Sequence, residues 1–164
     1  MKKPILTVVV ASIGLVLLCG ATSVSITPQG TVSSVIEISV APIAGYNTLD
    51  LAVNATDVDI ANITERANSK NGYTVTLASA NAGSTSTPKF AGATAGNTDV
   101  LPYSIKYNGT TVSLSSGEAI VTDASAKTSG TGVTKLLEIS YLGASSFLNA
   151  DSYSDTLTLT IAAK

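Results

Sequence analysis

The sequence predicts an all-β chain, an antiparallel β-sandwich preceded by a signal-peptide helix. Three observations carry this. Apolar residues recur at every second position, β-branched residues fill the runs, and Gly, Asn, Ser and Pro separate them. After the first two dozen residues, no stretch repeats apolar residues at i, i+3 and i+4. Thr and Ser together make up 43 of the 164 residues. Thr on one face of a run with Leu, Ile or Val on the other suits a pleated surface with one wet side.

The N-terminus reads as an address. Met1-Lys2-Lys3 is a short basic start, and Ile5 to Leu18 is apolar apart from Thr7, Ser12 and Gly14. Such a run fits the core of a secretory signal (~7–15 residues) and is short for a spanning helix of about 20. Cys19-Gly20-Ala21 supplies small residues for cleavage after Ala21, which divides the chain into a signal peptide, 1–21, and a domain, 22–164. Cleavage after Ser23 and an uncleaved anchor helix are the alternatives. Cys19 is a candidate lipidation residue, although Leu18 precedes it where a smaller residue is usual.

The strands follow in order. Val32 to Ala41 places Ile36, Ile38 and Val40 on one face; Thr48 to Val53 alternates Leu49, Leu51 and Val53; Asp57 to Glu65 carries Val58, Ile60 and Ile63. Asn68 to Gly72 is a turn built from residues that tolerate positive φ. Tyr73 to Leu77 alternates, and Asn81 to Thr98 reads as a long flexible loop. Leu101, Tyr103, Ile105 and Tyr107 share a face, and Asn108-Gly109 fits a type I′ hairpin turn leading into Thr110 to Leu114. Glu118 to Thr122 is a weak strand and Asp123 to Gly132 a second loop. Leu137, Ile139 and Tyr141 mark a strong strand, and Tyr153 to Ala162 turns Leu157, Leu159 and Ile161 inward.

Composition excludes much chemistry. The chain has no His and a single Cys, which rules out Ser–His triads, His-ligated metals, an internal disulfide and Cys-cluster metal sites. Net charge is −2, and loss of Lys2 and Lys3 with the signal makes it −4, the wrong sign for a nucleic-acid footprint. Asp57 and Asp59 alternate with Val58 and Ile60 and read as a solvated strand face, since no aromatic sugar platform accompanies them. Asp151 and Asp155 fit turn chemistry better than metal binding, and Glu65-Arg66 reads as an exposed charge pair. Tyr103, Tyr107, Tyr141 and Tyr153 read as core or edge packing. Ser86-Thr-Pro-Lys89 matches Ser-x-x-Lys by letter but lies in a loop. No enzyme activity, metal or cofactor is expected.

Five segments carry a resemblance. Val35-Ile-Glu-Ile-Ser-Val40, Leu49-Asp-Leu51, Asp59-Ile-Ala-Asn-Ile-Thr64 with Asn71-Gly-Tyr-Thr-Val-Thr-Leu-Ala-Ser79, Leu101-Pro-Tyr-Ser-Ile-Lys-Tyr107, and above all the tail Ala150-Asp-Ser-Tyr-Ser-Asp-Thr-Leu-Thr-Leu-Thr-Ile161 resemble, in order and texture, the spore coat protein U family, which includes the subunits of archaic chaperone–usher pili. The resemblance covers about four-fifths of the chain, Val32 to Ile161. It implies an immunoglobulin-like, pilin-type sandwich lacking one strand, with Asp59–Thr64 and Asn71–Ser79 as a central hairpin. It implies export to the periplasm and then the cell surface or a fimbrium. A periplasmic chaperone and an outer-membrane usher would be partners, and like subunits would join by strand exchange. The candidate donor is Thr22 to Pro28, with Val24 and Ile26 as anchors, within a segment running to Gly30; Val32 to Val40 either extends this donor or forms the first strand of the subunit itself, and a frayed terminus is the alternative reading of 22–30. The candidate groove is lined by Ile36, Ile38, Val40, Leu157, Leu159 and Ile161. The competing expectation is a self-standing cell-surface binding or adhesion module, either free or lipid-anchored, that engages a host or surface receptor through the loops.

Overall fold

The computed structural model describes residues 23–143 and 148–164. The predicted signal peptide, its cleavage after Ala21 and Cys19 lie outside the described residues. The chain divides into two compact units, Met1–Val32 and Ser33–Lys164. In the first, residues 23–32 form no strand or helix and are exposed throughout, Val24 at 89%, Ile26 at 87% and Val32 at 90%. Among the described residues, every strand lies in the second.

That unit is all-β. Its strands are β1 (Ile36–Pro42), β2 (Ala55–Ala67), β3 (Tyr73–Ser79), β4 (Lys89–Gly92), β5 (Val100–Tyr107), β6 (Thr110–Val112), β7 (Glu118–Ala124), β8 (Val133–Tyr141), β9 (Tyr153–Ser154) and β10 (Leu157–Ala163). Seven form one antiparallel sheet in the order β1-β2-β8-β5-β4-β9, with β6 also paired to β5; the other three form a second, β10-β3-β7. One core joins the sheets: Ile63, Ile105, Leu137 and Ile139 of the large sheet cluster with Leu77 of the small one, and Leu157 and Leu159 pack against them.

Period-2 alternation accounts for the best-defined strands. Leu101, Tyr103, Ile105 and Tyr107 are all buried, as are Leu137, Ile139 and Tyr141. Asn108 and Gly109 sit at φ 51 and 77, the two positive values a type I′ turn requires, and return the chain from β5 into β6. At Gly72 (φ 88) a Cβ would lie 2.0 Å from the Ala124 carbonyl oxygen, so the β2–β3 turn admits no side chain there.

The two sheets are pinned at one end by a carboxylate. Glu65 of β2 is fully buried. It accepts hydrogen bonds from Tyr107 Oη (2.7 Å) of the same sheet and from Tyr73 Oη (2.9 Å) and Thr122 Oγ1 (2.7 Å) of the other. Lys135 Nζ lies 3.1 Å from Glu65 Oε2 and donates to Thr122 Oγ1 at 2.6 Å. Burial raises the Glu65 pKa, but the hydrogen bonds from Tyr107, Thr122, Tyr73 and Lys135 together outweigh it and hold the carboxyl below its ordinary 4.5. In return, burial and then the Glu65 charge push the Tyr73 hydroxyl up to about 12. The expected exposed pair Glu65–Arg66 therefore does not form. Arg66, on the opposite face, pairs with Glu37 at 2.9 Å, because neighbouring residues in a strand point to opposite sides.

Other expectations also shift. Thr48 to Val53 forms no strand; turns on either side leave its backbone without a partner strand, while Leu49 and Leu51 still pack on the core. The loop 81–98 contains β4, whose Phe90 is buried against Tyr103 at 4.6 Å between ring centres. Strands β2 and β3 do not form the central hairpin implied by the resemblance: they belong to different sheets, since the turn at Asn68–Gly72 carries the chain across the core. The predicted last strand is two. Tyr153–Ser154 pairs with β4 in the large sheet and Leu157–Ala163 with β3 in the small one, with Asp155 at the break.

Replacing Glu65 by Gln removes the counter-charge of Lys135 and is expected to cost about 3 kcal/mol at neutral pH, measured by urea unfolding. A carboxyl whose pKa is lowered by folding stabilises the fold above its unfolded value, near 4.5, and that contribution fades as pH falls through the lower folded value. The wild-type urea midpoint should therefore drop below pH 4.5 more steeply than that of Glu65→Gln; equal slopes and equal midpoints would contradict this account.

Candidate functional site

The site is the mouth between β1 and β10, the outermost strands of the two sheets on one side. Strand β1 pairs only with β2, and β10 only with β3. The two approach each other without hydrogen bonding, so each presents an unpaired backbone edge among the described residues.

The side chains grade from closed to open along this mouth. At one end, Ile36 and Ile38 of β1 pack with Leu159 and Ile161 of β10 over Ala67, Tyr73 and Val75. At the other end the strands part around a cavity of about 360 Å³ whose lining includes Val40, Pro42, Ile60, Phe90, Leu157 and Leu159. The inward residues of β10 are only half-buried, whereas their partners one strand further in are not. Leu159 opposes Leu77 and Ile161 opposes Val75, and both partners are 0% exposed. Val40 is 53% exposed. Leu157, Leu159 and Ile161 thus point toward the core yet stay half-wet at an open sheet edge.

Asp155 holds the rim. Its carboxylate accepts from Ser79 Oγ and Tyr103 Oη at 2.6 Å each, from the Asn81 backbone N–H at 3.0 Å and from its neighbour Thr156 N–H at 2.7 Å. Ser79 belongs to the small sheet and Tyr103 to the large one. A second carboxylate thus ties the layers where the mouth opens, and the Tyr103 hydroxyl is pushed well above its ordinary range by burial and by Asp155.

All six sequence-predicted groove residues lie on β1 or β10. Val40, Leu157 and Leu159 line the cavity; Ile36, Ile38 and Ile161 belong instead to the closed end. Sequence reasoning missed Phe90 and Tyr46, which line the cavity from the short strand β4 and from a turn. Residues 23–32 are exposed and outside any strand, and their parity runs on, with Val24, Ile26, Pro28, Gly30 and Val32 alternating with Ser23, Ser25, Thr27, Gln29 and Thr31.

The rejected chemical candidates stay apart. Asp57 is exposed, at φ 52 in an irregular stretch of β2, and pairs with Lys106 at 2.6 Å. The Lys106 and Ser140 hydrogen bonds hold its pKa below 3.8. Asp151 caps a turn, accepting from Asn97 Nδ2 (2.7 Å), Thr94 N–H (2.9 Å) and Thr94 Oγ1 (2.9 Å). Asn97 first, then Thr94, holds it down to about 2. Among the described residues, no group of three or more His, Cys, Asp or Glu could hold a metal ion. No protein-family model matches the chain, and no curated protein does.

Replacing Asp155 by Ala strands the buried Tyr103 hydroxyl and frees Ser79. Thermal and urea unfolding should show a loss of about 1–3 kcal/mol. A variant as stable as wild type would remove Asp155 from its role as a tie between layers.

Proposed function

We propose that the chain is a structural subunit of an exported surface fibre: an immunoglobulin-like, pilin-type sandwich that lacks one strand and receives it from a second copy. The observation that carries this reading is the mouth itself, with unpaired edges on β1 and β10 and half-wet Leu157, Leu159 and Val40 beneath them. A strand laid beside β10 would pair its open edge and cover those side chains, which is strand addition. Left open, the same feature is an aggregation hazard, so a chaperone strand in transit and an usher at the outer membrane fit as partners.

The donor in this reading is residues 22–32 of the neighbouring copy. From Val24 to Val32 an extended chain spans about 27 Å, long enough to cover the seven residues of the acceptor strand β10, Leu157–Ala163. Val24, Ile26 and Val32 share one face of such a strand and would cover the apolar side chains of the mouth. Each subunit gives a strand and takes one at a different surface, so the contact repeats head to tail without closing.

A self-standing surface module, the second reading, is favoured by one observation: Ile36 and Ile38 already pack against Leu159 and Ile161, so half the mouth is closed by the chain itself.

The deciding experiment removes residues 22–32 and returns them as a free peptide. The truncated chain is expected to stay monomeric while the full chain forms multimers on size-exclusion chromatography. The peptide should raise the Tm of the truncated chain by several degrees, and the same peptide with Val24→Asp and Ile26→Asp should not. A full chain that remains a cooperatively melting monomer, with a truncated form indifferent to the peptide, would leave the self-standing module in its place.

A further inference from the structure

Beyond the mouth lies a second, larger cleft of about 700 Å³, walled by the turn and loop after β1 and by residues 148–155. It meets the apolar cavity at Tyr46, Leu49, Phe90 and Asp155, but its chemistry differs. Where the mouth offers aliphatic side chains, the cleft offers Tyr46, Asn47, Asp50, Asn149, Ser152 and Tyr153 over a floor of leucines.

Three features narrow what it can hold. Charge is the first: Asp50, Asp151 and Asp155 line the cleft and no Lys or Arg does, which repels phosphate, sulfate and carboxylate ligands. The second is unspent hydrogen bonding. Among the described residues, the exposed Asn47 amide, Tyr46 hydroxyl and Ser152 and Ser154 hydroxyls make no hydrogen bond to another protein group, although many neighbours do. These groups both donate and accept. The third is an aromatic face: Tyr46 is 45% exposed at the rim.

One wall is also rigid before any ligand arrives. Asp151 is fixed by Asn97, Thr94 and the Ser152 N–H. Tyr153 Oη donates to the Asn149 carbonyl at 2.9 Å and accepts from Asn97 at 3.2 Å. Preorganised polar groups beside an open ring, with no cation, recognise an uncharged polyhydroxy ligand: hydroxyls meet the amide and serine groups, and the apolar face of a sugar ring lies on the tyrosine.

We propose that this cleft is a binding site for a neutral saccharide, of a size that takes about two or three rings. The site adjoins the strand-accepting mouth, sharing Tyr46, Leu49, Phe90 and Asp155 with it, and does not rest on the fibre reading.

The test titrates the full exported chain with millimolar maltotriose, cellotriose, mannotriose and triacetylchitotriose, followed by amide NMR shifts. A saturable response from at least one sugar is expected, centred on Tyr46, Asn47 and Ser152. Tyr46→Ala should weaken it about tenfold, and so should Asn47→Ala, a milder change on the same exposed turn. The response should persist when the residue 22–32 peptide occupies the mouth. No saturable response to any of the four sugars would overturn the proposal. So would shifts confined to β1 and β10, displacement of the sugar by the peptide, or binding of spermidine at the cleft without binding of sugar.

Discussion

A carboxylate buried without partners is among the costliest things a fold can contain, and this fold is organised around a buried carboxylate that is fully partnered. Glu65 draws its partners from β3, β5, β7 and β8, and itself sits on β2. Only one relative setting of the two sheets brings two tyrosine hydroxyls, a threonine hydroxyl and an ammonium to the same pair of oxygens. Apolar packing of Ile63, Leu77, Ile105 and Leu137 supplies the bulk of the driving force but is tolerant of sliding. The carboxylate is not. It converts a general hydrophobic contact between layers into a specific one, and a shift of one residue in β2 would turn it to solvent and leave Lys135 and three hydroxyls behind.

The Asp155 cluster repeats the device at the other end, with a different outcome. Around Glu65 the layers close; around Asp155 they part. The reason lies in chain path. Asp155 interrupts the last stretch of chain, sending Tyr153–Ser154 to one sheet and Leu157–Ala163 to the other. The crossing leaves β10 with a single neighbour. The rim is thus held firmly by hydrogen bonds while β1 and β10 beside it stay unpaired with each other. Completing the burial of Leu157, Leu159 and Ile161 is worth roughly 1 kcal/mol each, and pairing the backbone of β10 adds to it.

Much of this was legible in the residues, and what escaped is instructive. Alternation located β5, β8 and β10 because each combines a clean period of two with flanking turn residues, and Asn108-Gly109 named its own turn. Thr48 to Val53 carries the same alternation and is not a strand, because Leu49 and Leu51 reach the core from a loop. Phe90 stood in a run of Gly, Ala, Ser and Thr that reads as linker, yet one aromatic was enough to fix a short strand there. At the site, β1 and β10 could be picked out as apolar strands, whereas Tyr46 and Tyr153, far apart in the chain, could not be seen to share a cleft.

The sequence by itself determined the class of structure and, for most strands, which side chains face inward. Those properties are local: they follow from the parity of a pleated chain and from each residue's own affinity for water. Only the tertiary structure decided to which sheet each strand belongs, that β2 and β3 part company at their turn, that Glu65 is buried while Arg66 is not, and that β1 and β10 face each other unpaired. These depend on contacts between residues tens of positions apart, whose free energy no short window of sequence contains.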